Sequence, residues 1–85
     1  MKHAGEAALD RVESLLVELR RFDGLREPKR GVFYRKSSAF LHFHDDPAGI
    51  FADVRTGRNW MRLPVNTRSE RLRLLRLIRE TLALP

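Results

Sequence analysis

The chain lacks cysteine and has no long apolar run. Without cysteine among its 85 residues it can form neither a disulfide framework nor a thiolate zinc site, and it offers no cysteine nucleophile. The longest apolar runs fall far short of the roughly 18 residues that a membrane span needs, and the segment from Met1 to Asp10 has acidic residues and no apolar core. We therefore expect no membrane contact, no secretory signal and a cytoplasmic location. A chain this short builds one core, so we predict a single domain over residues 1–85.

The signatures of common enzyme sites are also missing. The five glycines do not cluster into a phosphate-binding loop, and no serine lies in a nucleophile elbow. Ser37, Ser38 and Ser69 fit turn and cap positions. We predict a protein that is not an enzyme and needs no cofactor.

Positive charge is in excess. Lysine and arginine number 17 against 11 acidic residues, which gives a net charge of +6, and 14 of the 17 are arginine. Arginine suits bidentate contacts with phosphate or carboxylate groups. The excess favours an acidic partner, either nucleic acid or an acidic protein, but codon usage in a GC-rich genome explains it equally well.

Two helices are predicted at the ends of the chain. Between Ala4 and Phe22 the apolar residues recur at three- and four-residue spacing, which indicates an amphipathic helix. Near the other end, Thr67 and Glu70 form a capping-box pattern, so a second helix should run from Arg68 to about Leu82. The second helix carries one apolar side and one charged side. The charged side includes three candidate phosphate contacts, Arg73, Arg76 and Arg79.

The segment between the helices, residues 32–65, predicts a four-stranded antiparallel meander. Asp46-Pro47-Ala48-Gly49 suits a hairpin loop that pairs Asp45 with Ile50, and Gly57-Arg58 suits a two-residue turn that pairs Thr56 with Asn59. These registers place one continuous apolar set on a single face of the sheet: Leu41, Phe43, Ile50, Ala52, Val54, Met61, Leu63 and Val65. The predicted fold is α+β with both helices on that apolar face. The pattern leaves open whether Phe33 or Tyr34 points inward.

The same registers assign nine side chains to the second face of the sheet, in three cross-strand rows. The rows are Phe40, Arg55 and Trp60; His42, Asp53 and Arg62; and His44, Phe51 and Pro64. Aromatic groups beside arginines on an uncovered face indicate an interface. We predict the contact surface to be Phe40, His42, Phe51, Arg55, Trp60 and Arg62. Alternatively, the linker-like segment from Asp23 to Gly31 folds over this face and fills it.

The composition of the second face suggests three uses. Homodimerisation is the first expectation, since a second copy would bury the aromatic side chains. Binding of DNA or single-stranded nucleic acid by the sheet and the C-terminal helix is the alternative. The third is a metal site with His42, His44 and Asp53 as weak candidate ligands. Arg62 opposes Asp53 and disfavours a cation, so we favour a polar row in which Asp53 pairs with Arg62 and His42, and expect no metal.

The chain resembles small bacterial α+β proteins of the YjbR/MmcQ-like kind. The resemblance rests on the order of the elements (helix, four-strand meander, helix), on the strand segment GVFYRKSSAFLHFHDD and on the closing strand NWMRLPV. The resemblance spans Gly31 to about Leu82. It implies the same fold class and slightly favours DNA binding. It assigns no site residue.

Overall fold

The computed structural model describes residues 2–84, which form one antiparallel sheet and three helices. The strands are β1 (Lys2–His3), β2 (Leu25–Lys29), β3 (Val32–Arg35), β4 (Ser38–Asp46), β5 (Gly49–Thr56) and β6 (Asn59–Pro64). The helices are α1 (Glu6–Arg11), α2 (Glu13–Leu19) and α3 (Arg68–Leu82). The predicted α+β class is confirmed, with two strands and one helix more than expected. Met1 and Pro85, the ends of the predicted 1–85 domain, lie outside the described residues.

Strands β4, β5 and β6 form the meander in the predicted register. Asp45 pairs with Ile50 across the first turn, and Thr56 pairs with Asn59 across the second. Gly49 and Gly57 both have positive φ, at 132° and 69°, which is the conformation that each tight turn requires. These two turns therefore determine which side chains of the three strands point to each face of the sheet.

The segment predicted as a linker is instead an edge strand. β2 pairs with β3, and the sheet order is β2-β3-β4-β5-β6. Pro28 is tolerated because β2 has no neighbour on its outer side and because the register shifts between Arg26 and Lys29. The alternative in which residues 23–31 cover the second face is therefore wrong.

A register shift between β3 and β4 changes the position of Phe40. Phe33 pairs with Leu41 whereas Tyr34 pairs with Ala39, so Phe40 is the extra residue of a bulge. Phe40 is only 3% exposed and belongs to the core cluster, and Phe33 points inward while Tyr34 does not. The predicted row of Phe40 with Arg55 and Trp60 was wrong at Phe40, because a bulge redirects side chains that strict alternation would place outside.

Strand β1 completes the sheet along one edge of β4. β3 pairs with the first half of β4, and β1 pairs with its second half through Lys2–Asp45 and His3–His44. The backbone N–H of Ala4 extends this pairing by donating to Phe43 O at 3.1 Å. β5 occupies the other edge of β4, so β4 is the central element of the sheet.

The N-terminal helical segment is interrupted at Val12. There the backbone adopts φ −114° and ψ 19°, and the Val12 N–H donates to Leu9 O three residues back rather than four. The predicted single helix from Ala4 to Phe22 is therefore two short helices, which still bury one apolar side. That side consists of Ala8, Leu9, Val12, Leu15, Leu16 and Leu19.

Helix α3 begins and ends as predicted. The Thr67 hydroxyl accepts from the Glu70 N–H, and the Glu70 carboxylate accepts from the Thr67 N–H, which completes the capping box. Leu74 and Ile78 are fully buried in the same core cluster as α1, α2 and the apolar sheet face. All described helices thus pack on one face of the sheet, as predicted. None of the helices within residues 2–84 has both the length and the apolar character needed to cross a membrane.

Candidate binding face and histidine cluster

The second face of the sheet is uncovered, since the buried apolar residues of all three helices belong to the core on the other side. We call it the open face. Strand pairing and the alternation of side chains assign to it, among others, His3, Arg26, Tyr34, His42, His44, Asp46, Phe51, Asp53, Arg55, Trp60, Arg62 and Pro64. Five of the six residues predicted as a contact surface are among them. Phe40 is the exception.

Two aromatic rings on the open face are accompanied by arginines. The Arg55 guanidinium carbon lies 5.8 Å from the centre of the Trp60 ring, and Arg26 lies 5.5 Å from the centre of the Tyr34 ring. Trp60 is 42% exposed, a large value for the one tryptophan of the chain. Tyr34 and Trp60 lie on strands three spacings apart, so about 14 Å separates them across the sheet.

Asp53 is the polar centre of the open face and is 7% exposed. Its carboxylate accepts two hydrogen bonds from Arg62, at 2.7 and 2.8 Å, which is the pairing expected from the sequence. The imidazole that reaches Asp53 is that of His44 rather than the expected His42, with Nε2 2.8 Å from Oδ2. Hydrogen bonding by Arg62 lowers the pKa of Asp53 below its ordinary value although burial opposes this, so the carboxylate is ionised at neutral pH.

His3, His42 and His44 meet beside Asp53, and we call them the histidine cluster. The ring centroids of His3 and His44 are 4.8 Å apart, those of His42 and His44 are 4.9 Å apart, and those of His3 and His42 are 5.5 Å apart. One nitrogen of each ring lies within 4.8 Å of a nitrogen of the other two. These are all the histidines that the chain contains.

The buried nitrogens of the histidine cluster lack hydrogen bonds. Nδ1 of His42 and Nδ1 of His44 are buried without a polar partner, and the buried Nε2 of His44 has one polar neighbour, Asp53 Oδ2 at 2.8 Å. Burial lowers the pKa of His42 below its ordinary value of 6.5; Asp53 opposes this and the neighbouring His44 and His3 add to it. The His42 imidazole is therefore neutral at pH 7.

A cavity of about 490 Å³ lies next to the cluster. It occupies the gap along β4 between β1 and β3, and both His3 and His42 line it. Its opposite wall includes Arg30, and Leu9 and Phe43 contribute apolar surface. The cavity gives solvent and small ligands access to the imidazoles.

The arginines of α3 do not join the open face. Arg73, Arg76 and Arg79 are exposed, as predicted, but α3 packs on the opposite side of the sheet. The combined surface of sheet and C-terminal helix that the sequence analysis considered for nucleic acid therefore does not form. The three arginines remain a separate basic row.

His3 is a functional candidate that the sequence pattern does not reveal. Its strand has two residues, too few for any alternating pattern, and a helix follows almost directly. The sequence contains one indication of such a cluster: two of its three histidines, His42 and His44, share one side of a predicted strand. Strand pairing with β4 then placed the third beside them.

No family model, no curated protein and no solved structure matches the chain. The resemblance to YjbR/MmcQ-like proteins stays an expectation.

Proposed function

We propose that the protein is a small non-enzymatic binding module whose open face binds single-stranded nucleic acid. The observation that carries the proposal is the exposed Trp60 ring with the Arg55 guanidinium beside it. Unpaired bases stack on such rings while adjacent arginines hold the phosphates. Tyr34 with Arg26 repeats the arrangement about 14 Å away, so a strand crossing the sheet would meet two stacking positions.

The charge of the open face supports an anionic partner. Its arginines, Arg26, Arg55 and Arg62, outnumber its two carboxylates, Asp46 and Asp53. Arg62 engages Asp53, and neither Arg26 nor Arg55 has an ion-pair partner among residues 2–84. Two copies stacked face to face would bring these arginines toward a surface of the same sign, which is unfavourable. The burial of Phe40 also removes one apolar group from the homodimer that the sequence suggested. We therefore treat homodimerisation through this face as the competing outcome, which the test of nucleic-acid binding must exclude.

Single-stranded nucleic acid fits better than a duplex. A flat ring can stack only on a base that is not already stacked in a helix, and the open face offers no projecting helix for the major groove. The exposed arginines of α3 lie on the other side of the sheet, away from the two stacking positions.

The test is fluorescence anisotropy of labelled 12-nucleotide DNA and RNA strands at low and near-physiological salt. Quenching of Trp60 by the unlabelled strands reports stacking, because no other tryptophan contributes. Trp60→Ala should weaken binding by about 5- to 150-fold, the range expected for loss of one base–aromatic stack. Arg55→Ala should reduce the slope of log affinity against log salt by about 0.7.

Arg76→Ala is the matched control. It removes the same charge from the opposite side of the molecule, so its affinity and salt slope should stay close to those of the wild type. Equal weakening by Arg55→Ala and Arg76→Ala would mean that only net charge is sensed. Absence of binding at low salt would overturn the proposal, as would sedimentation of a dimer that Trp60→Arg dissociates.

A further inference from the structure

The histidine cluster unites parts of the chain that are far apart in sequence. His3 lies on β1 and His42 and His44 on β4, and the fold collects every histidine of the chain into one group. Nitrogens of all three rings lie within 4.8 Å of one another. In a tetrahedral site with metal–nitrogen bonds of about 2.1 Å, ligand atoms are about 3.4 Å apart, so small rotations of the three rings would bring them into position.

The unpaired nitrogens indicate that the cluster has a ligand. Nδ1 of His42 and Nδ1 of His44 are buried without any polar partner, although buried polar atoms in proteins are nearly always paired. A metal ion would satisfy such nitrogens because the neutral imidazole donates a lone pair to it. The buried nitrogens belong to His42 and His44, the two rings fixed on the central strand.

Asp53 has the position of an outer-sphere carboxylate. Histidines that bind metals commonly donate their second ring N–H to a carboxylate, which orients the ring. Asp53 Oδ2 lies 2.8 Å from His44 Nε2, which leaves the buried Nδ1 of His44 for a metal. Because Arg62 already holds both carboxylate oxygens, Asp53 is suited to orient His44 rather than to bind the ion itself.

We propose that His3, His42 and His44 bind a divalent transition-metal ion of the zinc class, with Asp53 as a positioning residue for His44. Three imidazoles are ligands that zinc and its neighbours in the first transition row prefer over Mg²⁺ or Ca²⁺. The 490 Å³ cavity that His3 and His42 line would give water or a small anion access to the ion as a fourth ligand. The metal proposal rests on other observations than the nucleic-acid proposal, so each can fail without the other.

The experiment uses tag-free protein cleared of metal with a chelator, titrated with Co(II) and with Zn(II). Co(II) should bind with 1:1 stoichiometry, produce visible ligand-field absorption and quench Trp60, whose ring centre is 5.0 Å from that of His42. Zn(II) should displace it. Cu(II) and Ni(II) are avoided because, in a preparation that begins at Met1, a free amino terminus would chelate them together with His3 without any fold.

Three variants test the ligands one by one. His3→Asn, His42→Asn and His44→Asn should each weaken Co(II) binding by tenfold or more, whereas Glu80→Gln, a carboxylate exposed on α3, should not change it. The positioning role of Asp53 is tested with Asp53→Asn, in which nitrogen NMR of the imidazole rings measures the tautomer of His44. The proton should be on Nε2 in the wild type and distributed over both nitrogens in the variant.

NMR of the wild type keeps the proposal testable if a variant fails to fold. Zn(II) should shift the ring resonances of all three histidines together at one equivalent. Absence of Co(II) and Zn(II) binding at micromolar protein would overturn the proposal. Wild-type affinity in His3→Asn, or a His44 proton on Nδ1, would equally overturn the assigned ligand set.

Discussion

His3 is the cross-strand partner of His44, and the two imidazole rings stack with their centroids 4.8 Å apart. The pairing depends on a two-residue strand that uses the part of the β4 edge that β3 leaves unpaired. A strand of only two residues thus adds the third member to the histidine cluster. Since His42 also contacts Trp60, the histidine cluster and the stacking surface share one aromatic contact.

His3 should matter little for stability. Its side chain is exposed, and the β1 pairing with β4 is made by backbone groups that a substitution leaves in place. We expect His3→Asn to change the free energy of unfolding by no more than about 0.5 kcal/mol in urea denaturation. A loss well above about 1 kcal/mol would show that the ring stack, rather than the backbone pairing, holds β1 on the sheet.

Phe40 and Trp60 should differ sharply in their contribution to stability. Phe40 is 3% exposed within the core, so Phe40→Ala should cost about 3 to 5 kcal/mol of unfolding free energy. Trp60 is 42% exposed on an edge strand, and Trp60→Ala should cost about 1 kcal/mol or less. Urea denaturation of both variants measures this, and similar costs would contradict the assignment of the two rings to opposite faces.

The part of the fold that the sequence predicted well is the part fixed by turns. The Pro47-Ala48 and Gly57-Arg58 turns allow few loop geometries, and each sets the register of two strands. From those registers follow the side chains that share a face, including His42, Asp53 and Arg62. Helix α3 was equally predictable because its capping box is a local pattern.

The parts that the sequence did not predict depend on contacts distant in sequence. β2 contains Pro28 and several charges and becomes a strand only because β3 offers an edge for pairing. The bulge at Phe40 arises where β4 must pair with β3 on one side and β5 on the other. β1 is too short to show an alternating pattern. The position of the third histidine, His3, could therefore not be predicted from the sequence.

Gly31 should be intolerant of a side chain. It has φ 79°, and a Cβ there would lie 2.6 Å from Cδ2 of the buried Leu9, so the Leu9 side chain would have to shift. Gly31→Ala should cost about 1 to 2 kcal/mol for the left-handed backbone and about 1 to 3 kcal/mol more for overpacking. Gly57→Ala is the matched control, because Gly57 has φ 69° with open space around it and should lose only the backbone part. Equal losses in urea denaturation would show that Leu9 adapts freely.

Two arginines form ion pairs that link the first two helices to the β2–β3 hairpin. Arg20 bridges Glu13 and Glu27, and Arg30 bridges Glu13 and two further carboxylates of α1, Glu6 and Asp10. Burial opposes ionisation of Glu27, but hydrogen bonds from Arg20 and from the Gly31 N–H outweigh it and lower its pKa below the ordinary 4.5. Hydrogen bonds from Arg30 and then Arg20 lower the pKa of Glu13 in the same way.

These two carboxylates should make stability fall in acid. A folded-state pKa below the unfolded value means that the folded protein binds fewer protons, so the stabilisation is complete above about pH 4.5 and is lost as pH falls through the lowered values. Urea denaturation at pH 7, 4.5 and 3 should show this decline. Glu27→Gln should be less stable than the wild type at pH 7, and the difference should shrink toward pH 3 because protonation removes the same charge from the wild type. A difference that stays constant across this range would mean that Glu27 contributes through packing and not through its charge.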